Sequence, residues 1–348
     1  MESSTIVRYP IGRTGPEMPA TGGRPSRIFD IRQEIMPKAP PRSQQSYRHE
    51  AFLWQDAREY VSVLAQFIED GLAAGEPVMA ALIREHANML RDTLGGQSRK
   101  VKFVDMAVLG RNPARIIPAW QQFLDSQSGS DRPVRGIGEP IWAGRRLEEV
   151  AECQLHEALL NVAVDPKTPF WLICPYDVQG LDPSVIDEVY HSHLAVLEGR
   201  RYESNSRYGG RTQIDALFTA ALAELEGQPT EFVFTRDNVE SVFGIVTLDA
   251  YAAELRSDKI SDISSTVRRL AAASLERGAK QGVLRIWHRP DAMICDVWDD
   301  TVIEDVLIGR RSLQADAADG LWQANQRCDL VQVRSAQSGT TVRLHIWK

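Results

Sequence analysis

The chain has 348 residues, 43% hydrophobic and 25% charged, with a net charge of −7. That length suits two domains, each able to bury a core; the negative balance argues against a nucleic-acid groove, which needs a basic face. No apolar run approaches the roughly 20 residues of a membrane span, and the four scattered cysteines (Cys153, Cys174, Cys295, Cys328) form no C-x-x-C pair. With no apolar signal core at the N-terminus, these features lead us to expect a cytoplasmic protein that touches neither nucleic acid nor membrane directly.

Residues 1–45 are rich in Pro, Gly, Arg and Ser and carry no sustained period, so a disordered tail is expected. Periodicity begins with the strand-like "YRHEAFLW". A helix follows with Tyr60, Leu64, Phe67, Ile68 and Leu72 on one stripe, then the near-continuous apolar run "PVMAALI". The alternation repeats: a helix near 86–94, strand "VKFVDM", helix "ARIIPAWQQFLDSQ", strand "VRGIGEP", helix "LEEVAECQLHEALLNVAV", strand "PFWLICPYD" and helix "DPSVIDEVYHSHLAVL". Strands alternating with helices predict an α/β domain over 46–200, a three-layer parallel sheet covered on both faces.

Residues 201–229 predict a polar linker and the short helix "IDALFTAALAELEG". From 230 to 348 the grammar changes. Strand "EFVFTR", a long helix near 238–256 and the helix containing "TVRRLAAASLERG" precede paired strands "VLRIWHR" and "AMICDVWDD". Then come helix "GLWQANQRC" and strands "LVQVRS" and "TTVRLHIW". Helices on one side of a mixed sheet predict an α+β two-layer sandwich.

Ligands of parallel sheets collect beyond the carboxyl ends of the strands. His49, Glu50, Asp105, Glu139, Tyr176 and Asp177 are predicted there, with Trp142 as an aromatic wall or as core. The helix "AECQLHEALLN" places Glu152 and His156 at i, i+4 on one face and Cys153, Glu157 and Asn161 on the adjacent one. Glu152 and His156 read as two legs of a metal site or as a helix salt bridge. Cys153 and Cys174 read as buried apolar groups or as redox sensors. Asp177 reads as part of a pocket or as a cap. "HSH" at 191–193 reads as a solvated helix end, because alternate residues on a helix do not share a face.

The segments "FIEDGLAAGEPVMAAL", "DMAVLGRNPARIIPAW", "RGIGEPIW" and "ECQLHEALLN" together resemble the MEDS sensory domain of methanogen and methylotroph regulators. The resemblance implies a RecA-like sandwich that senses a small molecule or a cellular state. No G-x-x-x-x-G-K-[ST] follows any predicted strand, so the phosphate loop of a working ATPase is missing.

"DVWDD", "GLWQANQRCDLVQV" and "GTTVRL", in that order after a helix ending S-L-x-x-G, resemble the histidine-kinase-type ATPase fold, and more closely the anti-sigma-factor serine kinases. Matched position by position, the family's catalytic Glu falls on Arg269 and its magnesium-binding Asn on Ala273. The adenine-reading Asp is Asp299, the glycine two residues later is Thr301, and of the lid glycines only Gly320 remains, after Asp319. A guanidinium cannot orient an attacking group and a methyl cannot ligate a metal. The resemblance therefore implies a degenerate nucleotide site with no catalytic residue, no resident cofactor or metal, and at most ATP binding without turnover.

Together these readings predict a partner-switching regulator. Its partner would be a sigma factor, an anti-sigma antagonist or another transcription-control protein, its small-molecule ligand is unidentified, and the kinase resemblance allows a homodimer. The rivals are an active serine/threonine kinase, an enzyme acting on a small metabolite through Glu139, His156 and Asp177, and a pure scaffold.

Overall fold

From Ala51 to Trp54 the chain offers no charge, and this run becomes the inner part of a central strand, β1 (Arg48–Trp54), buried on both faces. The computed structural model describes residues 46–127, 132–199, 201–311 and 320–348. Helix α1 (Ala57–Ala73) follows after two residues, its N-terminus capped by the Asp56 carboxylate, which accepts from the Arg58 and Glu59 amides. The chain then runs through β2 (Val78–Leu82), α2 (Arg84–Leu94), β3 (Val101–Asp105), α3 (Met106–Leu109), α4 (Ile116–Ser126) and β4 (Val134–Gly138). It continues with α5 (Leu147–Ala163), β5 (Phe170–Asp177), α6 (Pro183–Ser192), β6 (Ala195–Glu198) and β7 (Arg201–Ser204).

These strands form one sheet in the order β3-β2-β4-β5-β1-β6-β7. All neighbours are parallel except β7, which returns antiparallel to β6. Alternation along β1 sends Phe52 and Trp54 to the face covered by α1 and α2, and Ala51 and Leu53 to the face covered by α4, α5 and α6. Helix α5 lacks a polar side: Glu152, Cys153, His156 and Glu157 are all buried.

After α7 (Gly210–Thr219) comes a second sheet, with β8 (Thr230–Phe234), α8 (Ser241–Ala252), α9 (Ser257–Glu276), β9 (Gly282–His288), β10 (Ala292–Asp299), α10 (Leu321–Arg327), β11 (Leu330–Ala336) and β12 (Gly339–Trp347). Its order is β11-β12-β10-β9-β8. One face, with Leu284, Cys295, Val297, Val333 and Leu344, packs on Val246, Ile263, Val267 and Leu270 of α8 and α9. The opposite face carries Asp296, Gln332, Arg334, Arg343 and His345, all buried. Gln332 and Arg334 meet α5, and Arg343 donates to the Ala223 carbonyl while pairing bidentately with Asp296.

The described residues belong to one compact unit. Arg115 joins the two sheets by donating to the carbonyls of Asn325, Gln326 and Cys328 at the end of α10, where a cation also suits the helix dipole. Asn112 donates to Asn325, and Asp329 receives Arg111 and Lys259.

Four sequence expectations need correction. The helix expected to run through "HSHLAVL" ends at Ser192, and Ala195–Glu198 is a strand seated beside β1. The segment expected to be linker contains the edge strand β7. The long helix expected over 238–256 is shorter, ending at Ala252 before Glu254, which adopts φ 57, and α9 starts at Ser257. The second sheet is also antiparallel throughout rather than mixed.

Candidate functional site

Four chain segments converge on one buried cluster between the first sheet and its helices. His49 comes from the second position of β1, Glu157 from α5, Cys174 from the middle of β5 and His193 from the residue that ends α6. Each is at most 2% exposed, and their ligand-capable atoms lie within 4.8 Å of one another. His49 Nε2 stands 3.0 Å from Glu157 Oε2 and 3.4 Å from Cys174 Sγ. His193 Nε2 stands 3.1 Å from the same carboxylate oxygen but out of line for a hydrogen bond, and Glu157 Oε1 has no partner.

The outer sides of both rings are fixed. His193 Nδ1 lies 2.8 Å from the Val189 carbonyl, an acceptor only, so Nδ1 carries the proton. Asn161 uses its amide nitrogen on the carbonyls of Ser192, Glu157 and Ala158, which turns its oxygen toward His49 Nδ1 at 3.2 Å. Around the cluster, Tyr47 stacks on His49 and Tyr176 meets His193 edge-on.

Burial pulls the charges here in opposite directions. Burial and the neighbouring His49 push His193 down, whereas Glu157, which burial alone would raise, is held low by the two imidazoles. We take the neutral His193 beside an ionised Glu157, because two adjacent buried imidazoliums would repel each other. Burial also pushes the Cys174 thiol well up and Cys153 to about 12, which makes neither a ready thiolate.

His49 does not sit beyond the carboxyl end of its strand, as expected from sequence; it lies in the amino half and faces α5. Its neighbour Glu50 points to the other face, where it accepts from Arg48, Trp171 and Tyr202. Asn161 and Tyr176 join His49. Glu157, expected on the helix face next to that of Glu152 and His156, and Cys174, expected as a buried apolar group or a redox sensor, join them too. His193 is a correction: the residue read as a solvated helix end is fully buried, because it takes extended dihedrals (φ −121, ψ 135) and leaves the helix.

Glu139 belongs to a different place. Its carboxylate lies 2.6 Å from His86 Nδ1 and accepts from the Ile83 amide, just past the ends of β2 and β4. Burial raises Glu139 against the pull of His86. On His86 burial lowers, but the bond and charge of Glu139 outweigh it, so both shifts favour a proton held on the pair. Asp177 lends its charge to this pair while its side chain holds the turn at Gln179; the α6 cap is Asp182. Trp142 is half-buried under the Arg145 guanidinium.

Glu152 and His156 form neither a metal site nor a salt bridge with one another. Glu152, fully buried, pairs with Arg310 at 2.9 Å and with Arg334 at 2.5 Å. His156, one turn on, is driven to about 3 by burial and by the nearby cations, with Nδ1 unpartnered.

In the second sheet, Asp299 is 1% exposed and saturated. Arg277 reaches it at 2.7 Å, the Thr301 amide at 2.8 Å, and the hydroxyls of Ser274 and Thr301 complete the set. Arg269 pairs with Glu276 at 3.3 Å. Its aliphatic stem covers Gly320, whose φ of 78 and lack of room for a Cβ require glycine. Ala273 is buried. Asp319 lies outside the described residues.

Residues 48–194 match the MEDS family, the methanogen/methylotroph DcmR sensory domain. The matched segment spans β1 through α6 and includes all four residues of the buried cluster, whereas the second sheet lies outside it. No curated protein matches the chain.

Proposed function

We propose that this protein is a cytoplasmic regulator in which the parallel domain senses a small molecule or a cellular state. The antiparallel domain is a degenerate relative of the histidine-kinase-type ATPases that presents a surface to a transcription-control protein. The observation that carries this reading is the position of α5. One face of that helix holds Glu157 in the buried cluster, and the next holds Glu152 between two arginines of the second domain. Any change in how α5 sits on the first sheet is therefore felt at Arg310 and Arg334, and a ligand that favours one seating over the other biases the second domain.

A RecA-like origin for the first domain without its phosphate chemistry fits the Asp56 carboxylate, which fills the helix N-terminus where an anion would otherwise bind. Loss of kinase chemistry fits Arg269 and Ala273 in α9. It also fits the Arg277 guanidinium, which takes the hydrogen bond on Asp299 that an adenine amino group would need. The metabolite-enzyme reading gains nothing, since the charges acting on His156 are those of Glu157, Arg310, His49 and Arg145, while Glu139 pairs with His86.

Two measurements on the full chain test the proposal. Titration with Mg²⁺–ATP should give no saturable binding, and incubation with an anti-sigma antagonist should transfer no phosphate. Affinity capture from native cytoplasm should retain a sigma factor, an anti-sigma antagonist or another transcription regulator, with retention altered in Glu152→Gln. Phosphorylation of a serine or threonine on the captured protein, lost in Asp299→Ala, would overturn the degenerate-kinase reading. Capture of the same partner regardless of Glu152 would overturn the coupling.

A further inference from the structure

We propose that His49, Glu157, Cys174 and His193 bind one divalent transition-metal ion, with zinc the best fit to the donor set. Both Nδ1 atoms face oxygens held as acceptors, the Val189 carbonyl and Asn161 Oδ1, so both rings keep their protons on the outer side. With its proton on Nδ1, neutral His193 directs the lone pair of Nε2 inward, 3.1 Å from a Glu157 oxygen that is itself only an acceptor, while His49 Nε2 lies 3.0 Å from the same oxygen. His193 Nε2 and Glu157 Oε1 are fully buried and unpartnered. An unpartnered ring nitrogen and an unpartnered carboxylate oxygen in one dry core are costly, and a cation held among the four ligand atoms gives both a bond.

Charge and geometry agree. On binding, the ion displaces the Cys174 thiol proton to solvent; one carboxylate, one thiolate and two neutral imidazoles then sum to −2, which a divalent cation neutralises, so the filled site buries no net charge. Two nitrogens, a sulfur and an oxygen with mutual separations up to 4.8 Å suit a four-coordinate ion of borderline softness. The oxygens on the outer nitrogens are the kind of partners that orient metal-bound histidines. Because the ligands come from β1, α5, β5 and the α6–β6 junction, the ion would pin α5 to the sheet. The metal site stands whether or not the protein is a regulator. Only the consequence that its occupancy is read through Glu152 rests on the proposed function.

The test uses the full-length protein. Exposure to Zn²⁺ followed by removal of free metal should leave one equivalent per chain, and zinc-edge X-ray absorption should show one sulfur among nitrogen and oxygen donors. Co²⁺ in its place should give tetrahedral ligand-field bands and a thiolate-to-cobalt charge-transfer band. Cys174→Ser should lose that charge-transfer band, whereas Cys153→Ser, whose thiol bonds the Pro140 carbonyl, should keep it. Asn161→Leu, which removes a positioning residue, should weaken metal affinity about 10–100-fold without changing the donor set. The wild-type absorption spectrum decides the matter even if a variant fails to fold. Substoichiometric metal in the folded wild type after exposure, a zinc edge without sulfur, or an unchanged cobalt spectrum in Cys174→Ser would each overturn the site.

Discussion

Glu157 and Asp299 are both acids exposed by 2% or less, one in each sheet's domain, yet their surroundings are opposite. Asp299 accepts from a guanidinium, an amide and two hydroxyls, and nothing is left for a ligand to use. Glu157 faces two imidazole nitrogens and a sulfur, with one oxygen unpartnered. A buried acid whose donors are all supplied by its own chain is a structural fastener. One that keeps an unpartnered oxygen beside an unpartnered imidazole nitrogen is incomplete, and incompleteness in a core is the physical mark of a binding site.

The largest expected effect comes from a third acid of the Asp299 kind. Glu152→Ala leaves Arg310 and Arg334 buried without their counter-charge, so chemical denaturation should show a loss of about 3–5 kcal/mol. A loss under about 1 kcal/mol would mean that water reaches the arginines and that the two domains are not fastened there.

Acidification should come next. His156 and His345 are each lowered from 6.5 to about 3, burial being the first cause for both. Between these values the unfolded chain binds protons that the folded chain refuses, so stability falls as pH drops through this window and neither residue contributes above it. Each adds a slope of about 1.4 kcal/mol per pH unit. Urea titrations from pH 7 to pH 4.5 should show this decline, shallower in His345→Phe; a flat profile would place these rings in contact with solvent.

Removing a saturated acid should cost more than neutralising an incomplete one. Asp299→Ala should lose about 1–3 kcal/mol, since one of its partners, Arg277, remains partly solvated. Glu157→Gln in metal-free protein should cost less, about 1 kcal/mol or below, because the side chain keeps its shape and the oxygen replaced by nitrogen, Oε1, has no partner to lose. If Glu157→Gln is the more damaging of the two, the contrast between the acids is wrong. The smallest change belongs to Arg268→Ala, whose partner Glu240 is 79% exposed; thermal unfolding should register about 0.5 kcal/mol or less.

Much of the first domain could be read along the chain, because each long helix and each apolar strand from "EAFLW" to "FWLICPYD" announces itself by its own period. "LAVLE" did not: five residues after a helix continue a helical stripe as readily as they start a strand, and only the open flank of β1 selects the strand. The polar face of the second sheet was equally hidden. Arg334, Arg343 and His345 alternate with apolar residues as a solvated face would, and their burial comes from α5 and the segment at Ala223. The signal that could have exposed His193 was its position immediately after "YHS", where a helix ending at Ser192 would turn it inward.

By itself, the sequence determined most of the order of helices and strands, the placing of Arg269 and Ala273 on one face of α9 and the absence of a phosphate-loop motif, since all three are local. Tertiary structure alone decided that residues 49, 157, 174 and 193 meet and that Glu152 faces the other sheet. Positions up to 144 apart are brought within a few ångströms by parallel pairing and by the packing of α5, and no spacing along the chain encodes that distance.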